Sequence, residues 1–587
     1  MRYPQLREPD TDRQMVDVFK GYNHNLRIGS GEFFDMKNMT SDYYPVLSPR
    51  GKRGVYGAGT SLQGLIAKDT LCYVDGADFV IGGNKVSLGL STEEADCPKQ
   101  LVSMGAYVII MPDKKYVNTK DLSDYGDIEA SFTAADDVTF EFCNLTGDVY
   151  RYTIASSTEP EVTDEISWDV WFDTSTYPWT PKRYSPSSGT WVTITSTYVK
   201  IFTPGIGAAF SQHDGVTISG IVKSEAKELN GNFVVMGCGE DYIIVTGLVT
   251  GSITQELSEG IIQVNRSMPN LDYIIESENR LWGCRYGTAV NGEMVNEIYA
   301  SKLGDFRNWN NFAGISTDSY VASCGSDGPF TGAVTHMGYP LFFKENCVHK
   351  VFGNYPANYQ IQTTVCRGVQ KGCHKSLAMV NETLFYKARS GIMAYDGSLP
   401  VEASYALGNE AYSDAVAGAV GNKYYISMKD GCGEWHLFVY DVAKGMWHRE
   451  DNFRAVDFCY CRGELYGIDP ERKGIMAMTG TGTKEPDAVS WMVETGELGI
   501  SSPDMKYISR ITLRMKLEIG AQLQIYAQYD MSDSWEPLCN LTGTSLRSFS
   551  IPVRPRRCDH MKLRMEGVGD VKIYSITKTI ETGSEIS

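Results

Sequence analysis

At 587 residues, with 42% hydrophobic and 21% charged side chains, the chain is long enough for several cores and too apolar for disorder. A formal net charge of −18 excludes a protein that wraps nucleic acid through its phosphates, which needs a basic surface, although it suits a surface that DNA slides past. No run approaches the ~20 apolar residues of a membrane helix, and the 14 cysteines, scattered without a CxxC, read as reduced thiols in strand cores.

The chain opens on MRYPQLREPDTDRQ, which has no apolar signal region. VFKGYNHNLRIGSGEFFDMKNMTSDYYPVLSPRGKRG (18–54) follows, rich in turn residues. Residues 1–54 read as an N-terminal arm leading into what comes next. YVDGADFVIGGNKV (73–86) and AYVIIMPDKKYVNTK (106–120) each pair an apolar strand with a short polar turn and a second strand. The scheme returns in NRLWGCR (279–285), YPLFFKENCVHKVFG (339–353), ETLFYKARSGIMAYDG (382–397), NKYYISMKDGCGEWHLFVYDVAKGMWHRED (422–451) and GELYGIDPERKGIMAMTG (463–480). Such repeats, roughly 40–50 residues apart, suggest propeller blades. In LFVYDVAKGMW, Asp441 is placed to accept turn amides and Trp447 to pack across the hairpin, as in a kelch-type half-blade. ASKLGDFRNWNNF (300–312) is read the same way, with Asp305 capping a turn and Trp309 packing it; Trp282 lies in the strand before it.

Residues 128–264 break the pattern. DVTFEF, the Trp-rich SWDVWFDTSTYPWTPKRYSPSSGTWVTI and GNFVVMGCGEDYIIVTG read as a β-rich insertion of one or two small domains. The propeller therefore splits into 55–127 and 265–484. In 485–587, RITLRMKLEIGAQLQIYAQYD alternates Ile511, Leu513, Met515, Leu517 and Ile519 with polar residues, and Gly520 and Ala521 turn the chain. It reads as a hairpin with one buried face, HMKLRMEGVGDVKIYSI as a second, and SFSIPVRPRR between them as an edge strand. The fold class is all-β: a β-propeller with a β-rich insertion and a C-terminal antiparallel β-sandwich.

Chemistry is harder to find. GVQKGCHKS (368–376) misses the spacing of a phosphate loop and reads as a solvent-facing turn. Cys366, Cys373 and His374 lack a fourth ligand for a metal. His213-Asp214 is a second polar cluster with His, and His448-Arg449-Glu450-Asp451 reads as a solvated blade end. The basic clusters Arg50-Gly-Lys52-Arg53 and Arg554-x-Arg556-Arg557 face water or an acidic neighbour. The Trp-rich stretch could stack on sugars but reads as packing or subunit contact. Asp305 and Trp309 resemble a sialidase Asp box with Gly and Asp in swapped order and one copy, and no paired carboxylate can be named. No catalytic, cofactor or metal residue is assigned, and the expectation is that the chain is not an enzyme.

The stretch 18–54 reads Phe-x-Gly-x-Asn, Gly-x-x-x-Asp-x-x-Asn-Met, then Leu-x-x-Arg-Gly-x-x-Gly. With RLWG, SKLGDFRNW, LFFKE and the Tyr-Asp-turn-Trp unit following in order, it resembles the tail hub or nozzle proteins of tailed bacteriophages, also called stabilisation proteins. The resemblance covers roughly 18–120 and 265–480, and more faintly the C-terminal sandwich, and does not extend to the 128–264 insertion. It matches at Gly21, Asn23, Asp35, Asn38, Arg50, Trp282, Asp305 and Trp309 as fold positions. It implies a structural virion protein, assembled in the host cytoplasm, that forms a ring, usually a homohexamer, in the virion tail. Its partners would be further copies, the portal and head–tail adaptor, and tail fibres or other tail proteins. DNA would pass through without specific binding. The alternatives are a receptor-binding or fibre-docking propeller at the tail tip, or a glycan depolymerase.

Overall fold

The computed structural model describes residues 11–92, 99–162, 168–289, 292–500, 505–530, 532–543, 547–553 and 556–582. The fold is all-β, a propeller with a β-rich insertion and a C-terminal antiparallel sandwich. Blade strands are continuous apolar runs. TLFYKA (Thr383–Ala388) and KYYISMK (Lys423–Lys429) bury nearly every side chain, because a blade is covered on both faces. KYISRITLRMKL (Lys506–Leu517) instead alternates buried with more exposed residues, as a sandwich strand with one face on the core does.

Among the described residues, seven sheets follow the four-stranded meander of a blade. They span 62–87, 100–127, 273–323, 332–365, 378–402 and 413–449, with the last built from 458–477 and Gly54–Ala58. The chain divides into two compact units. One holds 1–99, 342–349 and 363–587; the other holds 100–341 and 350–362.

In the first unit, Gly54–Ala58 lies antiparallel on Gly474–Ala477, so a strand from the start of the chain completes a blade made near its end. Gly54 has no alternative there, since a Cβ would lie 1.8 Å from the Thr481 carbonyl oxygen. This blade packs on 62–87 through Leu65, Leu71, Tyr466, Ile468 and Ile475.

The sandwich of the same unit has two layers. One runs Thr11–Val16, Val571–Thr582, Lys506–Leu517, Arg547–Ile551; the N-terminal strand is therefore part of the sandwich, beside Val571–Thr582. The other runs Ser490–Thr495, Met561–Val568, Gln522–Tyr529, Glu536–Thr542, and continues through Glu32–Lys37 and Gly21–Tyr22 into the blade 413–449. The two expected hairpins do not exist. Lys506–Leu517 pairs with Val571–Thr582 and Gln522–Tyr529 with Met561–Val568, so the turn after Leu517 and the turn after Val568 each carry the chain from one layer to the other. Alternation identifies a half-buried strand; it does not say which strand it bonds, because both layers face the same core. Arg547–Ile551 is an edge strand, and Arg554 lies outside the described residues.

In the second unit the insertion comprises three sheets, built from strands between Ala130 and Arg266. One core joins them: Phe140, Val199 and Ile243 of one sheet, Val216 and Val264 of another, and Val170 and Phe172 of the third.

Candidate functional site

Two polar joints emerge, one in each unit, and each is assembled by motifs singled out in the sequence. In the first unit Arg53 is completely buried. Its guanidinium donates to Asp451 Oδ2 at 2.7 Å, Asp451 Oδ1 at 2.9 Å and Glu450 Oε2 at 2.7 Å, and lies 5.0 Å from the Phe453 ring centre. Arg50 adds a 3.2 Å bond to Asp451 and donates from Nε to Asn38 Oδ1 at 2.8 Å. Burial alone would raise the Asp451 carboxyl, but the charges of Arg53 and Arg50 and their hydrogen bonds hold it at about 2.

The N-terminal outline surrounds this pair. Asn38 sits at φ 56°; its amide donates to the Glu450 carbonyl at 2.9 Å and its side chain to Ser490 O at 2.7 Å. Asp35 pairs with Arg449 at 2.8 Å. Asn23 donates to Glu32 Oε2 at 2.8 Å and caps the Asn25 amide. Gly21 has φ 84°, and a Cβ there would lie 2.3 Å from the Trp447 carbonyl oxygen. Asp441 accepts from Ser41 at 2.5 Å and Lys444 Nζ at 2.9 Å, and Trp447 packs 4.8 Å from Tyr440 while donating to Ala403 O at 2.8 Å. All five outline residues thus meet the 441–451 hairpin, its flank or the strands beside it.

Two sequence readings are corrected here. His448-Arg449-Glu450-Asp451 is not a solvated blade end: His448 and Glu450 are buried, and burial drops the imidazole to about 3, keeping it neutral. GVQKGCHKS is not a solvent-facing turn either. Cys373 and Ser376 are buried, and Lys375 pairs with Asp457 at 3.0 Å. The acidic neighbour of Arg50 and Arg53 turns out to be this chain itself.

The second joint is ASKLGDFRNWNNF. Asp305 Oδ1 accepts the Arg307 amide at 3.0 Å, which closes the turn, and Trp309 is buried with its indole N–H on Phe306 O at 3.0 Å. Asn308, between them, was not singled out by sequence. It is fully buried, donates to Asp214 Oδ1 at 3.0 Å and accepts the Gly215 amide at 2.7 Å. Asp214 also binds Arg266, which donates to Ile128 O at 3.2 Å. Lys302 and Asn311 both reach His213 O at 3.2 Å. This loop therefore ties the insertion, at His213–Gly215, to the blade 273–323, and Arg266 links Asp214 to Ile128, where the chain enters the insertion. Arg280 holds the loop from behind by donating to the carbonyls of Ser301, Ser316 and Asp318, and Trp282 packs 5.0 Å from Tyr359. The signal for Asn308 was a polar residue inside an otherwise packed turn, but its partner lies 94 residues away.

Beside Arg50 the first unit has a cleft of about 430 Å³. Ion pairs line it, Lys423 with Asp42 at 2.6 Å and Lys444 with Asp441 at 2.9 Å, together with Glu450 and Tyr425. Among the described residues no group of three or more His, Cys, Asp or Glu is placed to hold a metal. In the Trp-rich stretch Trp171 is buried against Trp191 at 5.7 Å with Lys182 over its ring, while Trp179 and Tyr177 are exposed.

No protein-family model matches the chain, and no curated protein does. Solved structures do. An exo-β-1,3-galactanase from Phanerochaete chrysosporium matches 52% of this chain and 94% of its own at 8% identity and a TM-score of 0.20. An engineered GH43 glycoside hydrolase matches 53% and 97% at 8% identity and 0.19. The Trypanosoma rangeli sialidase matches 97% and 96% at 8% identity and 0.19. The expectation that the chain is not an enzyme is withdrawn on this finding, since these three are glycoside hydrolases and a sialidase. At such identities and TM-scores the matches name no activity for this chain.

Proposed function

We propose that this chain is a phage tail protein of the hub or nozzle type, assembling with further copies into a ring below the portal and adaptor through which the genome leaves. The observation that supports this reading is the first joint. The spaced outline Gly21, Asn23, Asp35, Asn38 and Arg50 forms one physical brace between the sandwich and a blade, centred on a fully buried Arg53. A part that must keep its shape while a genome passes needs such bracing. Imaging the particle that carries the chain tests it: a six-fold ring on the portal axis is expected, and a chain found only on peripheral spikes sinks the reading.

A second reading is a glycan depolymerase or a glycan-binding propeller at the tail tip. It accords with the activities named for the matched structures, and the cleft beside Arg50 gives it a place. Ion pairs of both signs around a phenol offer donors and acceptors to a hydroxyl-rich ligand without a net charge to repel it. Purified chain should then release reducing ends from, or be retained on, the host surface polysaccharide, and Lys423→Met should weaken this. Neither release nor retention would remove the second reading and leave the first standing.

A further inference from the structure

The sandwich of the first unit holds a half-open cavity of about 220 Å³ between its layers. Gln14 stands opposite Lys578 and Val16 opposite Ile576 in one layer, and all four line the cavity, so their side chains share its inner face. Phe33 and Thr495, opposed in the other layer, line it from across. Phe19, Ile28 and Leu498 complete apolar walls.

The charges do not balance. Glu32 is committed, its Oε2 accepting the Gly29 amide at 2.6 Å and the Asn23 side chain at 2.8 Å. Glu497 faces His560 at 3.9 Å. The Lys578 side chain makes no hydrogen bond or ion pair among the described residues, and burial pushes its ammonium down, opposed by Asp12. Its strand is second from the sheet edge, so its inward position does not serve to block edge pairing. An ammonium that lines a cavity of mixed polar and apolar walls and has no direct ion pair offers a bound anion a partner.

We propose that this cavity binds an aliphatic carboxylate, with the carboxylate on Lys578 and the alkyl chain against Val16, Phe19, Phe33 and Ile576.

Calorimetric titration of the full chain with octanoate and with 1-octanol tests the assignment. Octanoate should bind at least tenfold more tightly. Lys578→Met should abolish that preference while 1-octanol binding stays, and Ile576→Phe, which fills the cavity, should weaken both ligands at least tenfold. Equal affinity for the two ligands overturns the proposal, as does a preference that survives Lys578→Met or binding that ignores Ile576→Phe. Should Lys578→Met not fold, the wild-type preference and Ile576→Phe still decide. Competition by Ala-Ala-Leu with a free carboxylate, and not by its amide, marks a chain terminus as the source; no competition by either marks a free acid.

Discussion

Arg53 shows how much structure one side chain can hold. Fully buried and bonded to both Glu450 and Asp451, it leaves two buried carboxylates with Arg50 as their remaining cation when removed. Arg53→Ala should lose about 3–5 kcal/mol in urea unfolding. The pH dependence follows from Asp451. Its folded value of about 2 lies below the ordinary carboxyl value, so its contribution is complete at neutral pH. It fades as pH falls from about 4 and is gone below about 2. Stability between those values should therefore fall less steeply in Asp451→Asn than in the wild type, measured by urea midpoints across that window. At the second joint, Asp305→Ala should lose about 1–2 kcal/mol, a cap-type bond. Asn308→Leu should lose more, about 2–4 kcal/mol, because it strands a buried Asp214 oxygen and the Gly215 amide. Equal effects of the two substitutions would mean that Asn308 does not anchor the insertion.

Elements obey their local pattern but choose partners by topology. The alternating run through Leu517 and the next through Tyr529 each form the expected strand with the expected buried face. They do not pair, because the turn at 518–521 climbs between layers. Ile519 marks the difference: it continues the alternation yet is 88% exposed, since it sits in that turn and not in a strand. Three Gly-Ser residues inserted after Gly520 should accordingly keep both registers and lose under about 1 kcal/mol, as a longer loop does. In a tight hairpin the same insertion would disturb pairing, and a loss of several kcal/mol in urea unfolding would argue for one.

Over the whole molecule, distant sequence is knitted into single sheets. Gly54–Ala58 completes a blade begun at 458, Thr11–Val16 joins a strand that ends at Thr582, and Glu32–Lys37 bridges a blade to the sandwich. The thirteen described cysteines are free thiols, most of them buried or half-buried. A reductant should leave the thermal midpoint unchanged; a drop of several degrees would reveal a disulfide.

Residue periodicity alone determined the all-β class, the blade strands as continuous apolar runs, the sandwich strands as alternating ones, and the packing roles of Asp305, Trp309, Asp441 and Trp447. These are short-range matters: an Asp two residues from an amide, or a Trp across a turn, meets its partner whatever the rest of the chain does. Only the tertiary structure decided that Arg53 meets Asp451, that Asn308 meets Asp214, and that Lys578 points into a cavity. Those pairings depend on which strands become neighbours. Hydrogen bonds between strands are chemically alike, so the choice rests on how several hundred residues of apolar surface are buried at once, and no local pattern encodes it.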